Sequence, residues 1–276
     1  MLSRSKGAIM KIFILMAATL FTIDALSAQQ QIKAGEPKDI TFKSKLDGSE
    51  QKYVQIIPAE FKKGKGDLMI ALHGHGSDRW QYIRDGRGEC KGARDVAAKH
   101  KMIYVSPDYR GNSWMGPAAE ADIVQIIEEF KKTYDVKRIF LVGGSMGGTS
   151  VMTFATLHPD LVSAVSSQNG LANHIEFNSF QDAISLSFGG SKTEKPDEYR
   201  KRSSEFHADK LKMPISITVG KNDNVVPPDS IIRLGEQLKK TNRNVMLLVD
   251  EKNGHSTSYD DTVKAIEFII KNTGKR

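Results

Sequence analysis

Cysteine is nearly absent. Cys90 is the only one in 276 residues, so no intramolecular disulfide staples the fold and stability has to come from core burial. It lies in "GRGECKGARD" with no metal-ligand spacing around it, which predicts a partly buried free thiol. The seven histidines (73, 75, 100, 158, 174, 207 and 255) show no H-E-x-x-H and no Cys pairing, so the sequence supports no metal site. No G-x-x-x-x-G-K-[ST] is present, and nothing repeats at a fixed period, which removes P-loop nucleotide hydrolysis, solenoids and propellers. No cofactor is expected. The longest apolar run, "IFILMAATLFTI", has twelve residues and is too short to span a bilayer.

That run has a basic lead (Arg4, Lys6, Lys11) and a small-residue exit, "DALSAQQ". This is the pattern of a signal peptide, with cleavage near Ala28 and Met10 as an alternative start. The expectation is an exported protein (periplasmic or extracellular) with residues 1–28 removed, 29–276 forming one domain, and no integral membrane segment in the mature chain. The formal charge is +7, but the lysines are scattered ("EFKKGKGD", "FKKTYD", "LKKTNR") and not interleaved with aromatics. They describe solvated surface, not a nucleic-acid face.

Composition is otherwise ordinary, with 39% hydrophobic and 26% charged residues, and the length suits one large α/β domain. After a polar lead (29–50), strand-like runs alternate with helical patterns. "KYVQII" alternates, while "DLMIALHG" and "MIYVSPD" are continuous apolar runs, as strands covered on both faces should be. "AAEADIVQIIEEFKKTYDV" places Ile123, Ile126, Ile127 and Phe130 on one helical face. "RIFLVGG", "VSAVSSQNG", "PISITVGKND" and "NVMLLVDEKNGH" read as further strands, separated by helices. The alternation implies a mainly parallel sheet with helices on both faces, and chemistry on the loops beyond the strand ends. Residues 171–210 break the rhythm and predict a lid-like insertion.

At one such end stands Gly143-Gly144-Ser145-Met146-Gly147, a G-x-S-x-G between an apolar strand and a helix. In that context it predicts a nucleophile elbow with Ser145 at the apex. A serine hydroxyl needs a base, and His255 follows the last strand. Asp223 follows the strand before it. The order Ser145, Asp223, His255 makes these three the candidate catalytic residues. Asp229, Asp250 and Glu251 are the competing acids. Oxyanion donors are expected from the backbone N–H of Met146 and of His75, with Gly74 the alternative to His75. His73 is expected to be structural. The segments 75–90, 110–117 and 171–210 are expected to set the substrate, with Trp80, Trp114 and Phe177, and also Tyr82 and Phe180, as candidate pocket-lining aromatics or, equally, core residues.

On these motifs the chain resembles the α/β-hydrolase superfamily over residues 50–272. The Ser145-Met146-Gly147-Gly148 elbow looks like that of prolyl-oligopeptidase-type domains and related secreted esterases, including feruloyl and acetylxylan esterases. "PDEYRKRSSEFHADKLKMPISITVGKNDNVVPP" is similar to that family's segment before the catalytic acid, with its Tyr-x-x-Arg-Ser and Gly-x-x-Asp-x-x-Val-Pro patterns. The resemblance implies a serine hydrolase working through an acyl-enzyme. Those peptidases usually carry a large propeller ahead of the hydrolase domain, for which the expected twenty or so mature residues before the first predicted strand leave no room. The expected activity is therefore cleavage of carboxylic esters, either small-molecule or polysaccharide-linked. Small serine peptidase and non-catalytic hydrolase-like binding protein are the alternatives.

Overall fold

The computed structural model describes residues 35–274. The predicted signal peptide and its cleavage site lie outside the described residues. The elements, in chain order, are strands β1 (Lys38–Lys43), β2 (Glu50–Ile56) and β3 (Leu68–Leu72), helices α1 (Gln81–Arg84) and α2 (Gly88–Lys99), β4 (Ile103–Pro107), α3 (Pro117–Tyr134), β5 (Ile139–Gly144), α4 (Met146–Leu157) and β6 (Ala164–Gln168). There follow α5 (Gln181–Phe188), α6 (Pro196–Lys201), a 3-10 helix (Ser204–Lys210), β7 (Ile215–Gly220), α7 (Asp229–Thr241), β8 (Val245–Asp250) and α8 (Tyr259–Asn272).

The eight strands form one sheet in the order β1-β2-β4-β3-β5-β6-β7-β8. β1–β2 and β2–β4 are antiparallel, and every other pairing is parallel. The polar lead contains a strand that the sequence pattern does not reveal. β1 sits at the sheet edge with a largely exposed face, so only Ile40 and Phe42 needed to be apolar. The central strands are different. All five residues of β3 and of β4 are buried, because helices cover both faces.

Alternation along β3 sorts the core into two layers. Leu68, Ile70 and Leu72 pack with α3, α4 and α7, and Met69 and Ala71 pack with α1, α2 and α8. Helix α3 buries the predicted stripe of Ile123, Ile126, Ile127 and Phe130. It opens on Pro117 and stops at Asp135, whose left-handed backbone (φ 50°) breaks the turn.

The insertion at 171–210 forms α5, α6 and the 3-10 helix, and it is anchored from within. Arg202 is fully buried, donating to Glu198 Oε1 at 2.6 Å, Glu120 Oε2 at 2.7 Å and the Met115 carbonyl at 2.5 Å. These bonds pin α6 to the start of α3. Among the described residues no helix is long and apolar enough to cross a membrane.

Candidate active site

β5 turns into α4 at Ser145, whose backbone is left-handed (φ 58°, ψ −124°). For a non-glycine residue this costs on the order of 1–3 kcal/mol and persists only where the surroundings enforce it. They do so through close approach. A Cβ on Gly147 would lie 2.0 Å from the Leu72 carbonyl oxygen, and one on Gly148 2.5 Å from that of Gln168. The Ser145 N–H donates to the Gln168 carbonyl at 2.8 Å, tying the elbow to β6.

Asp223 lies in the turn after β7 and is almost fully buried. Its Oδ1 accepts from the N–H groups of Val225 and Val226, each at 2.9 Å, and its Oδ2 accepts from His255 Nδ1 at 2.6 Å. A carboxylate only accepts, so the His255 proton sits on Nδ1, and Nε2 is left as the basic nitrogen. The competing acids are engaged elsewhere. Asp250 accepts from its own turn at Lys252 and Asn253, Glu251 pairs with Lys221, and Asp229 starts α7.

Ser145 and His255 line one cleft of about 220 Å³ with Gly74, His75, Gln81, Tyr82, Arg87, Glu89, Asn169, Phe180 and Val225 among its walls. A larger hollow of about 510 Å³ runs along β8; Asp250 and Glu251 line it, but Ser145, Asp223 and His255 do not. The Gly74 N–H is taken by Gln81 Oε1 at 2.7 Å, whereas among the described residues the N–H groups of His75 and Met146 have no acceptor. Of the two early-loop donors, the one on His75 is therefore the one available to a ligand. His73 is fully buried, with its ring nitrogens 2.8 Å from the Gly74 carbonyl and 3.1 Å from that of Asp108.

The aromatic residues divide. Tyr82 and Phe180 line the cleft; Trp80, Trp114 and Phe177 do not. Trp114 is fully buried and Phe177 nearly so, both within the larger core layer. Trp80 packs beside the other layer under the Arg84 guanidinium, 3.7 Å from its ring centroid. Cys90 is fully buried instead of partly, and burial pushes its thiol up to about 12, so it is an inert wall. Gln81, Arg87 and Glu89 fall in the 75–90 segment expected to set the substrate, though the sequence singles out none of them, and Asn169 and Val225 lie outside the expected segments. Asn169 directly follows β6, where the strand-end rule would have pointed, while Arg87 and Glu89 belong to no motif. Among the described residues no cluster of three or more His, Cys, Asp or Glu side chains is arranged to hold a metal ion.

Solved structures share this fold. An esterase of Pyrococcus furiosus is 17% identical, with a TM-score of 0.64 over 87% of this chain and 94% of its own. An S-formylglutathione hydrolase of Agrobacterium tumefaciens is 15% identical, with a TM-score of 0.66 over 87% and 99%. An acylaminoacyl peptidase of Pyrococcus horikoshii is 22% identical, with a TM-score of 0.65 over 89% of this chain but only 43% of its own. At these identities the likeness is one of fold. No curated protein matches the chain in sequence. A profile of the prolyl oligopeptidase family matches residues 93–273, a span that holds the elbow, the Asp223 turn and His255. The chain belongs to the prolyl oligopeptidase family, a family of serine hydrolases.

Proposed function

We propose that this chain is an exported serine hydrolase that cleaves small carboxylic esters through an acyl-enzyme. Ser145 is the nucleophile and His255 the base, and Asp223 is the carboxylate that orients it. Ser145 Oγ attacks the ester carbonyl carbon while His255 Nε2 takes the hydroxyl proton. The negative charge on the carbonyl oxygen is met by the N–H groups of Met146 and His75. The C–O bond then breaks, and the proton on Nε2 passes to the departing alkoxide. Water, deprotonated by the same nitrogen, attacks the acyl-enzyme carbonyl, the bond to Ser145 Oγ breaks as Nε2 returns the proton to that oxygen, and the acid leaves.

The observation that carries this reading is the 2.6 Å bond from His255 Nδ1 to the buried Asp223, in a cleft shared with a strained Ser145. An ester is favoured over a peptide because the cleft, about 220 Å³, falls below the usual range for ligand pockets and suits a short acyl group. Its polar wall of Gln81, Arg87 and Glu89 suits a hydroxylated alcohol part, in line with the carbohydrate-linked short-acyl esters among those the sequence resemblance suggests. Export rests on the pattern of residues 1–28, and N-terminal sequencing of the protein recovered outside the cytoplasm should begin near residue 29; an intact N-terminus there would refute it.

The kinetic test compares wild type with Ser145→Ala and His255→Ala on p-nitrophenyl acetate and methyl ferulate. Each substitution should lower kcat by about 10⁴-fold or more. Wild-type turnover by either variant would refute the assignment. Aminoacyl amides cleaved at rates matching esters would turn the assignment to the peptidase reading favoured by the family match.

A further inference from the structure

The loop after β3 is fastened at nearly every residue. The Gly74 N–H is held by Gln81, the Gly76 N–H by Asn112 Oδ1 at 2.6 Å, and the Arg79 N–H by Asp108 Oδ1 at 2.9 Å. His75 lies between two of these anchors, and its own N–H has no acceptor among the described residues. What fixes this residue is its ring. Trp114 Nε1–H donates to His75 Nδ1 at 3.3 Å, and the Phe180 ring lies against the imidazole with centroids 4.5 Å apart. Trp114 is fully buried with a left-handed backbone (φ 47°), and it packs on Phe177 and Phe180 with centroids 5.3 and 5.4 Å away. Two separate segments, the β4–α3 connection and the insertion, thus converge on one imidazole.

An indole N–H only donates, so the His75 Nδ1 it meets must be unprotonated, which leaves the ring neutral with its hydrogen on Nε2. Burial, and then the nearby His73, lower the ring's affinity for a proton in the same direction. We infer that Trp114 is a positioning residue for the proposed oxyanion site: its N–H fixes the neutral His75 ring and so aims the His75 backbone N–H into the cleft. This rests on the functional assignment above. A protonated His75 would set N–H against N–H and release the clamp, so acid weakens the oxyanion donor. The titratable and charged groups around the ring are His73 on its own loop, His255, Arg87 and Glu89 across the cleft, and His174 behind Trp114.

Trp114→Phe keeps an aromatic ring and deletes the donor. It should lower kcat on p-nitrophenyl acetate by about tenfold with KM nearly unchanged, less than the 10²–10³ for an oxyanion donor removed outright. The same substitution should raise the pH at which His75 titrates, followed by ¹⁵N NMR, because the protonated ring no longer faces an N–H. Against failure of this variant to fold, a second pair is decisive. His75→Asn, whose Oδ1 accepts the same bond, should keep several-fold more kcat than His75→Leu. Protonated Nδ1 in the native neutral ring, unchanged kcat in Trp114→Phe, or equal kcat in the His75 pair would each overturn the inference. If wild type turns over no ester, the functional assignment fails and the His75 tautomer alone decides the clamp.

Discussion

Arg202→Met removes a buried charge while keeping a side chain of similar length, and the structure sets what this should cost. The guanidinium is fully buried and donates to Glu120, Glu198 and the Met115 carbonyl. Glu120 is itself mostly buried and also meets His158 Nε2 at 2.8 Å. Burial works to raise the Glu120 pKa, but the bond to His158 and the Arg202 charge outweigh it and hold the carboxyl down to about 2, from 4.5. A folded pKa below the unfolded one means stability that is present above pH 4.5 and lost as pH falls toward 2, here about 3 kcal/mol. Arg202→Met strips one partner from this buried group and strands the Met115 carbonyl, so urea melts at pH 7 should show a loss of about 3–5 kcal/mol. Glu120→Gln/Arg202→Met removes both charges and should recover a large part of it. A loss of under about 1 kcal/mol in the single variant, against a central expectation about four times larger, would refute the anchoring role of Arg202.

Two further perturbations have signs set by geometry. Gly147→Ala puts a methyl group 2.0 Å from the Leu72 carbonyl oxygen, where backbone and not a flexible side chain must yield. It should cost several kcal/mol in thermal unfolding and abolish ester turnover, and a stable, active variant would refute the close-approach reading of the elbow (roughly the upper range for overpacking). His174 is fully buried, with neither ring nitrogen hydrogen-bonded among the described residues. Burial, then the charges of Arg202 and Lys192, press its pKa to about 3. Because the unfolded ring binds its proton near 6.5, native stability should fall by about 1.4 kcal/mol per pH unit below that value. His174→Phe should flatten this slope between pH 6.5 and 4.5, above the window where Glu120 contributes, and equal slopes would show that His174 is not its source.

Much of this architecture was legible because burial on both faces writes itself into sequence. "LMIAL" and "IYVSP" could hardly be anything but central strands, and Ser145, Asp223 and His255 stood out by lying just past strand ends. β1 was hidden because an edge strand with a solvated face needs few apolar residues. Trp114 misled for another reason. A tryptophan in the polar stretch "RGNSWMG" looks like an exposed cleft residue, and nothing local records that Phe177 and Phe180, more than sixty residues later, cover it. Arg87 and Glu89 lie in a segment, 75–90, that the strand-end position already marked, but which of its side chains reach the cleft is set by the packing of α1 and α2.

The central claim is that Ser145 is an activated nucleophile, and the most direct measurement is covalent labelling of the folded protein with a fluorophosphonate, read by peptide mass spectrometry. One adduct per chain should form, on Ser145, absent in Ser145→Ala and slowed strongly in His255→Ala. An unlabelled wild type, or an adduct that persists on another residue in Ser145→Ala, would contradict it.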